Sequence, residues 1–141
     1  MDLRSRDGVL YRDSAVRFSD ITDGTSQTLL AGERPPSPDF QYGWWYTGLG
    51  QLRTGSLDMV LGVNEANRMA SVFDLCPPGH YSFQQGRLDN PCDRFHLWSP
   101  HPSGANFAFA DGSVKFLGYS AAPALPALST RAAGDSVPAF D

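Results

Sequence analysis

The sequence has no long apolar run. Nothing in its 141 residues approaches the roughly 20 consecutive apolar residues that cross a bilayer. Its opening, "MDLRSRDGVLYRDS", is polar, so neither a spanning helix nor a signal peptide is expected within it. Charge is scarce, at 18% of residues, and the 11 Lys and Arg against 15 Asp and Glu leave a net charge of −4. That balance excludes the basic footprint of a nucleic-acid or anionic-membrane binder. Cysteine is reduced to Cys76 and Cys92, with no CxxC and with His80 and His96 as the nearby histidines, so a zinc site is not expected. "TGLGQLRTG" is Gly-rich but lacks the GxxxxGKS/T and GxGxxG spacings that cradle phosphates. "ITDGTSQT" offers hydroxyls without a nearby histidine, which gives nucleophilic catalysis no support.

What is there points to many short strands and turns. Glycine (14), proline (11) and aromatics (12%) are plentiful, and 41% of residues are hydrophobic, enough for a globular core. The expected class is mainly β, with α+β as the alternative: an antiparallel sheet with hairpins, short helical turns and long loops. One β-rich domain over 1–141 is expected, with mobile ends at 1–7 and 132–141. Cys76 in "DLCPPGH" and Cys92 in "NPCDRF" suit a disulfide worth about 3 kcal/mol in an exported chain. Two unpaired thiols in a cytosolic protein are the alternative.

Along the chain, residues 8–18 read as extended. Ser19 suits a helix N-cap and Gly24 a stop, with one short helical or 3-10 turn between them. "TSQTLLAGE" (25–33) alternates as a strand, and "RPPSPD" (34–39) is a loop because proline cannot donate to a ladder. "FQYGWWYTGLG" (40–50) is aromatic and extended. Residues 51–75 suit a short helix or a strand, 76–92 form a loop, and 124–128 have a helical pattern. Asp111-Gly112 predicts a type I′ hairpin turn with a two-residue loop. Phe109 then pairs with Val114 and Phe107 with Phe116, which places these four on one core-facing side.

"HPSGANFAFADGSV" (101–114) raises the question of a His101/Asp111 site. A strand over 105–110 rises about 3.3 Å per residue, which separates the two by roughly 20 Å, so a shared proton or metal is not expected. Asp111 serves its turn. His101 is expected to hydrogen-bond a neighbouring backbone carbonyl at the start of the strand, and Asn106 to satisfy nearby backbone groups. Asp20, Asp23 and Glu33 form a second polar set, and Asp89, Asn90 and Asp93 a third. Calcium is the cation such oxygen ligands would take, with capping and turn formation the expected role. Tyr42, Trp44, Trp45 and Tyr46 could stack on sugars or form a core face.

Two blocks, "GVLYRDSAVRFSDITDGTSQTLLAGE" (8–33) and "FHLWSPHPSGANFAFADGSVKFLGYSAAPALPALSTRAAGD" (95–135), resemble the signature blocks of the pseudopilin-like family called domain of unknown function 1559. His101, nine residues, then Asp111-Gly112 matches its C-terminal hallmark, and Ile21 to Glu33 matches its "ITDGTS-TLL-GE" mark. Ser103 departs from it where a second Gly is common, and "TRAAGD" where a Gly pair and Glu are usual. The resemblance implies a β-rich head behind a prepilin-type, type II secretion-like hydrophobic helix. That helix is absent here, so the chain resembles the C-terminal head region alone. It also implies the cell envelope or an extracellular or periplasmic location. It implies a non-enzymatic structural role, with partners among other pseudopilin-like or envelope proteins, self-association included. No catalytic residues carry over. Asp23, Gly24, Glu33, His101, Gly104, Asn106, Asp111 and Gly112 are expected to be structural, with no resident metal or cofactor. The alternative is an extracellular carbohydrate- or solute-binding module using Trp44, Trp45 and Tyr46.

Overall fold

A computed structural model describes residues 6–11, 13–40, 62–67 and 76–139. Short 3-10 turns at Phe18–Asp20 and Thr25–Gln27 lead into β1 (Leu29–Gly32). The strands β2 (Asn64–Asn67) and β3 (Gly79–Ser82) follow, then a 3-10 turn at Pro91–Phe95. A hairpin of β4 (Gly104–Phe109) and β5 (Val114–Gly118) precedes a 3-10 turn at Tyr119–Ala121 and the one-turn helix α1 (Leu125–Leu128). Among the described residues, β1, β4 and β5 form one antiparallel sheet in the order β1-β4-β5, and β2 pairs with β3 in a second. The fold is mainly β with short helical turns, as the composition predicts.

The N-terminal block departs from expectation in detail. Ser19 lies inside the Phe18–Asp20 turn, and the cap belongs to Arg17, whose backbone N–H donates to Asp20 Oδ2 at 2.8 Å. Gly24, at φ 98°, stands ahead of the second turn rather than ending the first. The strand expected over 25–33 is confined to Leu29–Gly32, because Gln27 N donates to Gly24 O at 3.0 Å and closes a turn instead.

The hairpin forms where expected but one residue out of the expected register. Ala108 pairs with Val114, Phe107 with Lys115 and Asn106 with Phe116. Gly112 N donates to Phe109 O, and Phe109 N to Ser113 O, both at 2.9 Å. Gly112 alone at the tip has a positive φ, +84°, and Asp111 does not. This is a type I turn closed by a glycine bulge with three loop residues, not the two-residue type I′ turn, which needs positive φ at both positions. A shift of one residue exchanges the faces of a strand. Phe107 and Phe109 are buried, but Val114 and Phe116 are 66% and 50% exposed, while Leu117 faces the core. The expected four-residue patch is therefore half right: its β4 members are core and its β5 members are surface.

The core lies between the inner face of the first sheet and the C-terminal turns. Leu29, Phe83, Leu97, Phe107, Phe109 and Leu117 pack there with Ala121, Leu125 and Leu128. Each fully buried side chain of this size contributes about 1.5–3 kcal/mol. Phe83 meets Phe107 edge-on, with centroids 5.1 Å apart. The segment 76–92, expected as loop, contains β3, which pairs with β2 from Asn64↔Ser82 to Asn67↔Gly79. β2 meets the strand alternative expected over 51–75, although two Asn and a Glu give it low strand propensity. The buried Asn67 amide fixes it by donating to Cys76 O at 3.0 Å. Cys76 and Cys92 are joined as a disulfide, Cα–Cα 5.3 Å, beside the buried Phe95 ring. α1 matches the helical pattern expected over 124–128.

Contacts also join the two ends of the chain. Arg131 N donates to Asp7 O at 2.9 Å, and the Arg131 guanidinium to Gly8 O at 2.7 Å. Val137 packs against the core.

Candidate functional site

The two signature blocks meet along the β1–β4 pairing, and their polar residues hold that joint. Glu33 follows β1. Its Oε2 accepts from Asn106 N at 2.6 Å and its Oε1 from Asn106 Nδ2 at 3.1 Å. Its main chain continues the ladder, since Glu33 N donates to Asn106 O and Trp98 N to Glu33 O. One residue thus stitches the first block to two segments of the second.

The "SPHPSG" turn is built in the same way. Ser99 Oγ accepts from His101 N at 3.1 Å and donates to Gly104 O at 2.7 Å. Tyr119 Oη donates to Ser99 O and His101 O. It is the main chain of His101 that anchors the start of β4, not the ring hydrogen bond expected. The imidazole instead lies edge-on to Phe116, centroids 6.0 Å apart. Gly104 admits no side chain, because a Cβ there would sit 2.0 Å from Leu117 O. Ser99 is a structural residue that reading from His101 onward misses. A serine two residues ahead of a Pro-flanked turn is its sequence signal.

At the opposite end of the hairpin, Asp111 Oδ1 accepts from Ser113 N at 2.9 Å and from Ser113 Oγ at 2.7 Å. The Ser113 hydroxyl first, then its backbone N–H, hold the Asp111 carboxyl below the ordinary carboxylate range. Strand β4 separates Asp111 from His101, and the two share no contact.

Asp20, Asp23 and Glu33 do not converge either. Asp23 Oδ2 accepts from Ala133 N at 2.8 Å and Oδ1 from Gly134 N at 2.9 Å, which clips the C-terminal turn to the first block. Asn90 caps the Pro91–Phe95 turn through Cys92 N. Asp89 pairs with Arg87 on the surface, where that guanidinium holds its carboxyl low. No group of three or more His, Cys, Asp or Glu placed to hold a metal occurs among the described residues.

Among the described residues, the one arrangement with a catalytic look is Asp93 and His96. His96 Nε2 lies 2.9 Å from Asp93 Oδ1, and both residues are buried. Asp93 Oδ2 also accepts from Arg87 N at 2.6 Å, and Asp93 O from Trp98 Nε1 at 3.0 Å. An Asp–His couple activates a nucleophile only when the second ring nitrogen faces one. Here Nδ1 faces Leu97 O at 3.2 Å, and the nearby Ser99 hydroxyl is bound to Gly104 O. The couple fastens the 87–98 segment. Tyr42, Trp44, Trp45 and Tyr46 lie outside the described residues.

No curated protein and no solved structure matches this chain. The family model described as "Protein of unknown function (DUF1559)" matches residues 1–124. That span contains all of the first signature block, the joint at Glu33 and Asn106, and the His101 to Gly112 stretch, and by it the chain belongs to the DUF1559 family.

Proposed function

We propose that this chain is a non-enzymatic, pseudopilin-like structural domain of the cell envelope that acts through assembly and surface contacts. The observation that supports this reading is the use made of the signature residues. Glu33, Asn106, Asp23 and Asp111 direct their carboxylates and amide at main-chain and side-chain groups that fix loops and strand ends. His101 acts through its backbone and an aromatic contact. Residues that fix loops and strand ends in this way define the shape of the surface through which such a domain would act.

The test is fractionation of cells producing the tagged, full-length gene product, combined with cross-linking. Recovery in the envelope or external fraction, cross-linked to itself or to other envelope proteins, is expected. Recovery as an uncross-linked cytosolic protein would overturn the reading.

A further inference from the structure

Among the described residues, β5 is the terminal strand of its sheet. Phe109 N donates to Ser113 O, so by strand alternation Ser113, Lys115 and Leu117 turn their main-chain groups toward β4. Val114 and Phe116 turn theirs away, and these groups form no hydrogen bond among the described residues. Their side chains are 66% and 50% exposed. An open edge with apolar side chains is a template for another strand.

Proteins commonly blunt such an edge with a lysine that projects into solvent. Lys115 does not do so. Its Nζ folds back to donate to Ser26 O at 3.1 Å and lies 4.3 Å from the Phe109 ring centroid. Lys115 is exposed, but its charge is held at Ser26.

The register of this edge favours a second copy of itself. Paired antiparallel about Phe116, the two strands exchange hydrogen bonds at Phe116 with Phe116, and at Val114 with Gly118. The two rings stand opposite each other on the outer face, an arrangement that stabilises a strand pair. Lys115 then falls opposite Leu117, so no like charges meet. The alternative register centred on Lys115 sets two ammonium-bearing residues face to face, which is unfavourable.

We propose that the β5 edge is a self-association surface on which two copies of this chain pair antiparallel about Phe116. One continuous sheet would then run from β1 of one copy to β1 of the other. This rests on reading the chain as an assembly protein and names the surface and the partner. A single strand pair is a small, weak interface, suited to domains that a larger assembly already holds at high local concentration.

The test is sedimentation velocity of the full chain over a range of concentrations, with Phe116→Lys and Phe116→Glu alongside. Phe116 is half exposed, so both variants are expected to fold, which near-ultraviolet circular dichroism checks. The expected result is a weak, concentration-dependent dimer for the parent chain. Each variant alone should dimerise about tenfold more weakly, because the ring pair is lost and like charges then face each other. An equimolar mixture of the two should recover the dimer, since Lys meets Glu across the two-fold axis. Loss of folding alone would not be cured by mixing.

A parent chain that stays monomeric, or a mixture that fails to recover the dimer, would overturn the proposal. A dimer indifferent to either charge would overturn it while leaving the assembly reading standing, because association would then use another surface. Occupation of the edge by a different envelope protein in place of a second copy would also overturn it. Cytosolic recovery in the fractionation experiment sinks the assembly reading itself.

Discussion

Glu33 grips Asn106 across 73 positions of sequence, taking its backbone N–H with one carboxylate oxygen and its side-chain amide with the other. Two hydrogen bonds to one charged group, at partly buried positions, are stronger than two neutral ones. They bind the end of β1 to the middle of β4 and explain why a Glu ends the first block and an Asn sits inside the second. The joint holds two distant parts of the chain in one sheet, which is the platform for every surface discussed above.

Gly112 is required for its backbone conformation, not for space. A Cβ there would meet nothing within 4 Å, but φ is +84°. Gly112→Ala should cost about 1–2 kcal/mol, the penalty for an L-residue in the left-handed region. Gly112→Val should cost more, and Gly112→Asn least, because Asn tolerates that region. Thermal melts of the three variants check the order. Equal melting temperatures would mean that the tip is not the glycine-bulge turn described here.

The same tip predicts a titration. Asp111 is held low by Ser113. A carboxylate whose folded-state value is depressed stabilises the fold above its ordinary pKa, and that contribution fades as pH falls through the lower folded value. The window therefore lies below about pH 4. Carboxyl carbon shifts followed by NMR should place Asp111 below an ordinary aspartate, and Ser113→Ala should move it back up. An ordinary value in the parent chain would contradict the hydrogen bonds drawn at the tip.

Reduction of Cys76–Cys92 should release the 76–92 segment. The bond closes a loop of sequence separation 16, so its removal should cost about 3 kcal/mol in the chain-entropy picture. Amide exchange should rise first around β3 and Phe95, which pack beside it, while β4 and β5 stay protected. Thiol labelling before and after reduction checks the premise. Two thiols reactive without reductant would remove it.

Much of this fold is readable from the sequence, and the misses have identifiable causes. Asp-Gly between alternating segments locates the hairpin, and Pro- and Gly-flanked cysteines suggest the disulfide. The register is not legible because Asp-Gly serves both the two-residue turn and the bulged one. Only the φ of Asp111 separates them, and composition does not encode it. That single residue moves Val114 and Phe116 from core to surface and creates the edge discussed above. β2 realises the strand alternative for 51–75, but its position is not legible, because "NEAN" owes its conformation to pairing with β3 and to the Asn67 contact with Cys76 O. The Glu33–Asn106 joint carries no local signal, since neither residue has a sequence neighbour that announces the other. The Asp93–His96 couple sits at the spacing of one helical turn, and the sequence alone does not say whether its second nitrogen faces a nucleophile or a carbonyl.

The central question is whether the signature residues build the sheet. Urea denaturation of Glu33→Gln and Glu33→Ala against the parent chain asks this directly. Each should lose about 1.5–3 kcal/mol, the cost of removing a charged acceptor from its donors, with the Ala variant at the upper end. Stability unchanged to within about 0.5 kcal/mol, the level of an ordinary surface substitution, would contradict it and return Glu33 to the list of residues kept for a ligand.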